Sequence, residues 1–143
     1  MSDAMISLER GDWQTLADEA SEIRRVVFIE EQQVPQDEEW DGRDEQCVHF
    51  LARLEGRAVG TARLLPDGHV GRVAVLSQAR GLGLGLRLME AAIHAARQAG
   101  HAEVLLDAQI HALEFYQRLG FTAFGEEFID AGIPHRSMRL ILN

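Results

Sequence analysis

The segment from Arg80 to Gly85, Arg-Gly-Leu-Gly-Leu-Gly, combines an arginine with three glycines at alternate positions, a pattern suited to binding an anion. It follows a short apolar run and precedes a helical pattern that ends near Gln98, so it predicts a turn between a strand and a helix. The first turn of a helix leaves backbone N–H groups unpaired at the positive end of the dipole, and glycines let a phosphate approach them closely. We therefore expect a phosphate-carrying ligand here, with a charge-assisted contact from Arg80.

Three kinds of phosphate-binding motif could account for this turn. A Walker-type loop needs a lysine after its second glycine, and the chain contains none, because all fourteen basic residues are arginines. A dinucleotide-binding fingerprint beginning at Gly81 or Gly83 would place a leucine where its third small residue belongs. The third motif, R-x-x-G-x-G, binds the pyrophosphate of coenzyme A, and Arg80, Gly83 and Gly85 match it. The turn therefore favours coenzyme A as the ligand.

Several segments of the chain together resemble a known family. Residues 72–75, the turn at 80–85 and the run 112–121, which contains an aromatic pair and closes with Gly-Phe, are similar to the GNAT superfamily of acyl-CoA-dependent N-acyltransferases. Further runs resemble the ElaA-like branch of that superfamily, and they comprise residues 24–32, 108–109 and 130–135. The resemblance implies an enzyme that is a GNAT N-acetyltransferase.

The same resemblance implies acetyl-CoA as the cofactor and assigns residues to it. The pyrophosphate would bind the amides of the turn, and the pantetheine arm would run along the backbone of the preceding strand. Gln109 stands where many family members have asparagine, and its amide retains both a donor and an acceptor. The residues assigned to the cofactor are Val73, Ala74, Val75, Arg80, Gly81, Leu82, Gly83, Leu84, Gly85, Leu86, Gln109 and Phe115.

Direct transfer of an acetyl group from a thioester to an amine needs a neutral amine, donors for the developing oxyanion and a proton for the leaving thiolate. By the resemblance, the general acid is Tyr116, which is the only tyrosine in the chain. The general base remains open at this point, and Glu31 is assigned to the catalytic site with Tyr116 because it lies in the run 24–32. The candidates for the base are Glu31, His49, Asp107, His111 and His135.

The acceptor amine is expected to bind beside the acidic segment 30–46. Its carboxylates would create a negative potential, and Trp40 could stack on a cation. The acceptor itself, a small molecule or a peptide, is not specified by the sequence. The residues predicted to border it are Arg24, Glu31, Trp40, His49, Asp107 and His135.

Length and composition limit the alternatives. With 143 residues, of which 46% are hydrophobic, we expect one GNAT N-acetyltransferase domain over residues 1–143. A formal charge of −9 argues against a nucleic-acid partner, and no apolar run is long enough to span a membrane. Cys47 stands alone, which indicates a cytoplasmic location by default. We expect no catalytic metal, because no histidine or carboxylate pair has metalloenzyme spacing. A homodimer is possible, since family members often dimerise.

Two predicted helices lie next to the run 24–32 and the glycine turn. One begins at Trp13 with Asp12 as its N-cap, and its apolar residues recur at steps of three and four. The other follows the turn and ends at Gly100. The stripe predicted to be buried on this second helix consists of Leu86, Met89, Ile93 and Ala96.

The strand patterns place the fold in the α+β class. A hairpin is predicted over residues 47–65, a strand over 69–76, and a terminal hairpin over 121–142. The run 103–107 is expected to pair in parallel with the preceding core strand. We therefore predict a mixed, mostly antiparallel central sheet flanked by helices, which the resemblance to GNAT proteins also implies.

Two other functions remain compatible with these patterns. A non-catalytic acyl-CoA sensor would keep the turn at residues 80–85 and tolerate the loss of Tyr116. An NAD(P)-binding domain is disfavoured by the leucine at the third small position. Binding of coenzyme A and release of its thiol are the observations that distinguish these alternatives.

Overall fold

The computed structural model describes residues 5–142, so the ends of the expected domain, residues 1–4 and 143, lie outside the described residues. The strands are β1 (Ile6–Gly11), β2 (Val48–Leu54), β3 (Arg57–Leu64), β4 (Val70–Val75), β5 (Glu103–Gln109), β6 (Thr122–Asp130) and β7 (Ile133–Ile141). The helices are α1 (Trp13–Arg24), a π-helix (Arg25–Glu31), α2 (Gln36–Glu39), α3 (Leu84–Gln98) and α4 (Leu113–Arg118), with 3-10 turns at Asp44–Gln46, Ser77–Ala79 and Ile110–Ala112.

The strands form two antiparallel sheets. The first has the order β1-β2-β3-β4, and the second has the order β5-β7-β6. An isolated parallel bridge between His69 and Leu105 joins them. The α+β class is confirmed. The predicted parallel pairing of residues 103–107 with the preceding core strand is present as this single bridge, while β5 pairs antiparallel with β7 along its whole length.

A bulge in β4 explains why the two sheets separate. Gly71 pairs with Arg63 and Ala74 pairs with Thr61, so that two residues of β4 lie opposite a single residue of β3. One of the two is Arg72, whose φ of 52° is in the left-handed region that residues with a Cβ atom seldom adopt. A bulge bends its strand and increases the local twist. Beyond the bridge at His69, β4 therefore diverges from β5 and a cleft opens between the sheets.

Helix α3 packs on the first sheet with a face that differs from the predicted stripe. Met89, Ile93 and Ala96 are buried as expected, whereas Leu86 is 40% exposed. Leu84 and Leu88 are buried in its place, because a helix that begins at Leu84 turns residues 84, 88, 92 and 96 towards the core. The end of the helix at Gly100 is as predicted, since this glycine has a φ of +84°.

Helix α1 covers the other face of the first sheet. The Asp12 carboxylate accepts a hydrogen bond from the Thr15 N–H at 2.9 Å, which confirms the predicted N-cap. Buried residues of the helix and of the π-helix pack against Leu51 and Ala74, and they are Leu16, Ala20, Ile23 and Val27. None of the helices within residues 5–142 is both long and apolar enough to cross a membrane.

Candidate active site

A cavity of about 570 Å³ lies in the cleft where β4 and β5 separate. Its walls come from the π-helix, the acidic segment that follows it, β4, the end of β5, the start of α4 and the turn between β6 and β7. Tyr116, Asp107, Gln109, His111 and His135 line this cavity together. The topology therefore brings residues from distant parts of the sequence to one site.

The π-helix forms one wall of the cleft. Its wider winding is visible in the hydrogen bond from Gln32 N to Val27 O at 3.1 Å, which spans five residues. The winding places Phe28 and Gln32 at the cavity, and the Gln32 side-chain oxygen accepts a hydrogen bond of 2.9 Å from the Gln109 amide. Single-turn π-helical segments are frequent at functional sites. This bond connects the π-helix to β5 across the cleft.

A second cavity, of about 200 Å³, lies at the start of α3. Gly81 and Gly83 have left-handed φ angles of +83° and +77°, and a Cβ atom built on either would meet nothing within 4 Å. The first helical hydrogen bond runs from Arg87 N to Gly83 O, which leaves the N–H groups of residues 84–86 without helical acceptors. The open space in front of these donors fits an anionic group such as the coenzyme A pyrophosphate.

The side chain of Arg80 makes a different contact from the one predicted. Its guanidinium forms two hydrogen bonds with the Glu31 carboxylate, of 2.6 and 2.8 Å, and its Nε donates to Val75 O at 2.9 Å. Hydrogen bonding to Arg80 lowers the pKa of Glu31, which stabilises the ionised carboxylate. Glu31 does not line the larger cavity. A candidate base is thus held in a salt bridge beside the smaller cavity.

Arg24, which was predicted to border the acceptor, lies in a buried network of ion pairs. Only 1% of its surface is exposed, and it does not line the larger cavity. Its Nε donates to Glu39 and its Nη1 donates to Asp44, both at 2.7 Å. The guanidinium carbon also lies 5.6 Å from the Trp13 ring centroid and 4.9 Å from that of Trp40. The cation that stacks on Trp40 is therefore Arg24 of the chain itself.

Two more arginines complete this buried network. Arg63 Nη1 donates to Asp44 at 2.9 Å and to Asp41 at 3.0 Å. Arg72 Nη2 donates to the Glu39 carbonyl at 3.1 Å, and its Nε lies 3.3 Å from the Glu39 carboxylate. Although burial opposes the charge, the hydrogen bonds from Arg63 hold the pKa of Asp41 well below its usual value.

The buried network changes the expected electrostatics of the acidic segment. It contains three arginines (24, 63 and 72) and three carboxylates (39, 41 and 44), so its formal charges cancel. The prediction of a general negative potential is corrected for this part of the segment. Glu38 also lines the cavity, and its carboxylate has no arginine partner among residues 5–142.

His49 contacts the buried network and does not line the larger cavity. It is 1% exposed, its Nε2 lies 2.8 Å from Asp44 O, and its ring lies 4.7 Å from the Trp13 ring. Burial lowers the pKa of His49, so the neutral imidazole is stabilised. His49 and Trp40 were both predicted to border the acceptor, and neither lines the larger cavity.

Tyr116 lies between two aromatic rings at the edge of the larger cavity. Its ring makes edge contacts with Phe115 at 5.0 Å and with Phe121 at 6.0 Å. Burial raises the pKa of Tyr116 to about 12, so its phenol remains protonated at neutral pH. Nearby, the Asp107 carboxylate accepts a hydrogen bond of 2.9 Å from the Ser137 hydroxyl.

The residues predicted to hold the cofactor divide between the two cavities. Val73 and Gln109 line the larger cavity, whereas Ala74 is buried in the core and Leu82 is exposed outside both. The residues of this set that line the smaller cavity are Val75, Arg80, Gly81, Gly83, Leu84, Gly85, Leu86 and Phe115. Within residues 5–142, no three His, Cys, Asp or Glu side chains are arranged to hold a metal ion.

Three residues that line the larger cavity were not predicted to be site residues: Gln32, Arg63 and Arg72. Gln32 belongs to the run 24–32, so the resemblance already pointed to its neighbourhood. The two arginines could have been noticed from the sequence, because each is a charged residue within an otherwise apolar predicted strand, as in residues 59–65. Their partners lie between 19 and 33 residues away and could not be chosen from spacing alone.

Comparison with known proteins decides the family. The family model for the acetyltransferase (GNAT) domain matches residues 15–142. The chain belongs to the GNAT acetyltransferase family. This GNAT enzyme is 37% identical over 120 residues to a protein named uncharacterized N-acetyltransferase YjcF from Bacillus subtilis (strain 168), over 81% of the chain and 86% of YjcF.

Two solved structures have the same fold as this GNAT enzyme. An acyl-CoA N-acyltransferase from Pseudomonas aeruginosa is 34% identical, with a TM-score of 0.86 over 95% of this chain and 99% of that one. Escherichia coli ElaA is 27% identical, with a TM-score of 0.85 over the same shares of the two chains. The predicted ElaA-like branch of the GNAT superfamily is thereby confirmed, as is the prediction of an acyltransferase.

Proposed function

We propose that this GNAT enzyme transfers an acetyl group from acetyl-CoA directly to a primary amine of a small molecule or peptide. The observation that carries the proposal is the adjacency of the two cavities. Val73 and Tyr116 line the larger cavity. Val75 and Phe115, which are close to them in the sequence, line the smaller cavity. A ligand bound at the start of α3 could thus extend along β4 to the phenol of Tyr116.

The glycine turn and β4 would bind the cofactor. The N–H groups of residues 84–86 would donate to the pyrophosphate, and the edge of β4 that diverges from β5 would offer backbone groups to the pantetheine amides. The Val75 N–H would lie near the thioester oxygen. When bound, acetyl-CoA supplies an activated acetyl group as a thioester. The chain itself orients this group and keeps it beside the acceptor.

Tyr116 and the carboxylates of the larger cavity would complete the reaction. The protonated phenol of Tyr116 would donate to the departing sulfur as the general acid. Asp107 and Asp130 line the same cavity, and neither has an arginine partner among residues 5–142. Together with Glu38 they would attract an ammonium group, which is the resting form of a primary amine at neutral pH.

Ligand binding followed by thiol release tests the proposal. We expect coenzyme A and acetyl-CoA, but not NAD, to raise the melting temperature, because a ligand that binds only the native state stabilises it. Release of free thiol from acetyl-CoA should then depend on an added amine. Binding without amine-dependent thiol release from a broad amine panel would favour the non-catalytic acyl-CoA sensor.

Replacing Gly83 with alanine should weaken coenzyme A binding. The new Cβ would enter the open space in front of the α3 amides, and the left-handed φ of +77° adds strain. Gly56→Ala is a matched control, because Gly56 has a φ of +82° and equally open surroundings but lies in the β2–β3 turn. Both variants should lose about 1 kcal/mol of stability. Only Gly83→Ala should raise the Kd measured by calorimetry, and equal Kd values would contradict the proposed pyrophosphate site.

Replacing Glu31 with glutamine should tighten coenzyme A binding modestly. The substitution removes the charge that holds Arg80 and frees the guanidinium for the pyrophosphate. Because half-exposed ion pairs contribute about 0.2–1 kcal/mol, we expect the Kd to fall by roughly 1.5-fold to 5-fold. The gain should vanish in an Arg80→Ala background. A weaker Kd for Glu31→Gln would instead mean that Glu31 positions Arg80 for the phosphate.

A further inference from the structure

The proposed acetyl transfer requires a group that removes a proton from the acceptor amine, and the structure narrows the choice. Glu31 is held by Arg80 outside the larger cavity, and His49 is buried behind the ion network. The candidates that line the cavity are Asp107, His111 and His135. Among the three, His135 is the one whose ring is held by both a hydrogen bond and a stacking contact within residues 5–142.

The hydrogen bond of His135 determines which of its nitrogens is free. His135 is 8% exposed, and its Nδ1 lies 2.7 Å from the Ile133 carbonyl oxygen. A carbonyl oxygen can only accept, so Nδ1 must carry the proton. In a neutral imidazole the other nitrogen then holds a lone pair. Nε2 has no hydrogen-bond partner in the part of the chain that the structure describes.

The neighbours of His135 hold its ring beside other polar residues of the cavity lining. The Phe128 ring stacks on the imidazole, with a centroid distance of 5.7 Å and an interplanar angle of 20°. In the β5–β7 register His135 lies opposite Gln109, and Ser137 lies opposite Asp107. Residues that face each other across a ladder, and residues two apart on one strand, point to the same side of the sheet. This polar group therefore shares one face of β5 and β7.

The other two candidates are held differently. His111 is exposed on the turn after β5, and no hydrogen bond within residues 5–142 fixes its ring. The Asp107 carboxylate already accepts the hydrogen bond from Ser137. A base that is oriented in advance loses little freedom when the substrate arrives, which favours His135.

We propose that His135 Nε2 is the general base of the acetyl transfer, an inference that rests on the proposed function. Nε2 takes a proton from the acceptor ammonium, directly or through one water, and the nitrogen keeps the electron pair of the broken N–H bond. That pair forms the C–N bond as the C–S bond breaks, and the sulfur receives a proton from Tyr116. The second amine proton restores the Tyr116 phenol through solvent, and the imidazolium returns its proton to water. One proton is released for each amide formed.

The variant His135→Asn separates the base role from a structural role. The asparagine amide can still donate to the Ile133 carbonyl, but no basic nitrogen replaces Nε2. We expect an unchanged Kd for coenzyme A and kcat/KM for the amine lowered by about 10²-fold to 10⁴-fold near neutral pH. His94→Asn, which removes an exposed histidine on α3, is the matched control and should have no effect.

The pH dependence gives the decisive readout. Without a base the enzyme reacts only with amine that is already neutral. Over the pH range in which the wild-type His135 ring is neutral, the deficit of His135→Asn should therefore shrink about tenfold per pH unit up to the pKa of the amine. Other titratable groups line the same cavity and face the same solution pH. On the elements around His135 they are Asp107 on β5, His111 on the following turn, Tyr116 on α4 and Asp130 on β6. A deficit that is constant with pH, or absent, would overturn the assignment, as would the same pH-dependent deficit in His111→Asn.

A measurement on the wild-type protein tests the inference without turnover. Its result does not depend on whether the His135 variant folds correctly. In the wild-type protein, nitrogen-15 NMR of labelled histidines should show His135 with a protonated Nδ1 and a bare Nε2 at a pH where the ring is neutral. The opposite tautomer would overturn the inference even if the enzyme is active. If the wild type binds coenzyme A but acetylates no amine, the proposed function fails instead, and the base with it.

Discussion

The variant Tyr116→Phe is expected to lower kcat for acetyl transfer by about 10²-fold or more, which is the usual contribution of a positioned proton donor. Tyr116 lines the cavity, and burial raises its pKa to about 12, so the phenol is protonated throughout the neutral range. Phenylalanine keeps the edge contacts with Phe115 and Phe121 and removes only the hydroxyl. The melting temperature and the Kd of coenzyme A should therefore stay close to the wild-type values.

Steady-state kinetics with a reactive amine, together with calorimetry of coenzyme A binding, would check this result. Since the pKa of Tyr116 is raised to about 12, no step in the wild-type pH profile between pH 6 and 10 should come from Tyr116. A variant that retains the wild-type kcat would show that the departing sulfur obtains its proton elsewhere. A large rise in the coenzyme A Kd would instead assign the hydroxyl to cofactor binding.

The second large effect concerns stability. Replacing Arg24 with alanine should lower the free energy of unfolding by about 3–5 kcal/mol, because it leaves buried carboxylates without their partner. Glu39 and Asp44 would each lose a hydrogen bond of 2.7 Å, and the rings of Trp13 and Trp40 would lose the cation between them. Urea denaturation measures the loss, provided that the slope of the transition is unchanged.

The neighbouring residue offers a matched control. Arg25 pairs with Glu22 and Glu30 at the surface, and about half of its side chain is exposed. Arg25→Ala should therefore change the free energy of unfolding by no more than about 1 kcal/mol. If Arg24→Ala leaves stability intact and raises only the KM of the amine, the original prediction that Arg24 contacts the acceptor would be correct after all.

Features that depend on local sequence were predictable. The N-cap at Asp12, the turn from Arg80 to Gly85 and the end of α3 at Gly100 each follow from a few adjacent residues whose backbone preferences are strong. The family was also accessible, because its motifs are short and contiguous. The error at Leu86 arose because the position of the first helical residue sets which side chains are buried, and the glycine turn hides that position.

Features that depend on distant pairs could not be predicted in the same way. The partner of β5 is β7, some 30 residues later, and nothing in the local pattern of residues 103–109 distinguishes it from a closer strand. The ion network joins Arg24 to carboxylates 15 and 20 residues away. The acidic segment was expected to create a negative potential as a whole, whereas tertiary packing folds part of it inward against arginines on α1 and on two strands.

The cancellation of charge inside the buried network has a consequence for how salt acts on this enzyme. Since the interior group is neutral as a whole, the formal charge of −9 belongs to the groups outside it. At 0.1 M ionic strength mobile ions largely screen solvent-exposed charges that are more than about 10 Å apart, but they act much less on pairs shielded from water. Raising the ionic strength should therefore slow the approach of the cationic amine proposed as acceptor, while the buried network beside the larger cavity keeps its ion pairs.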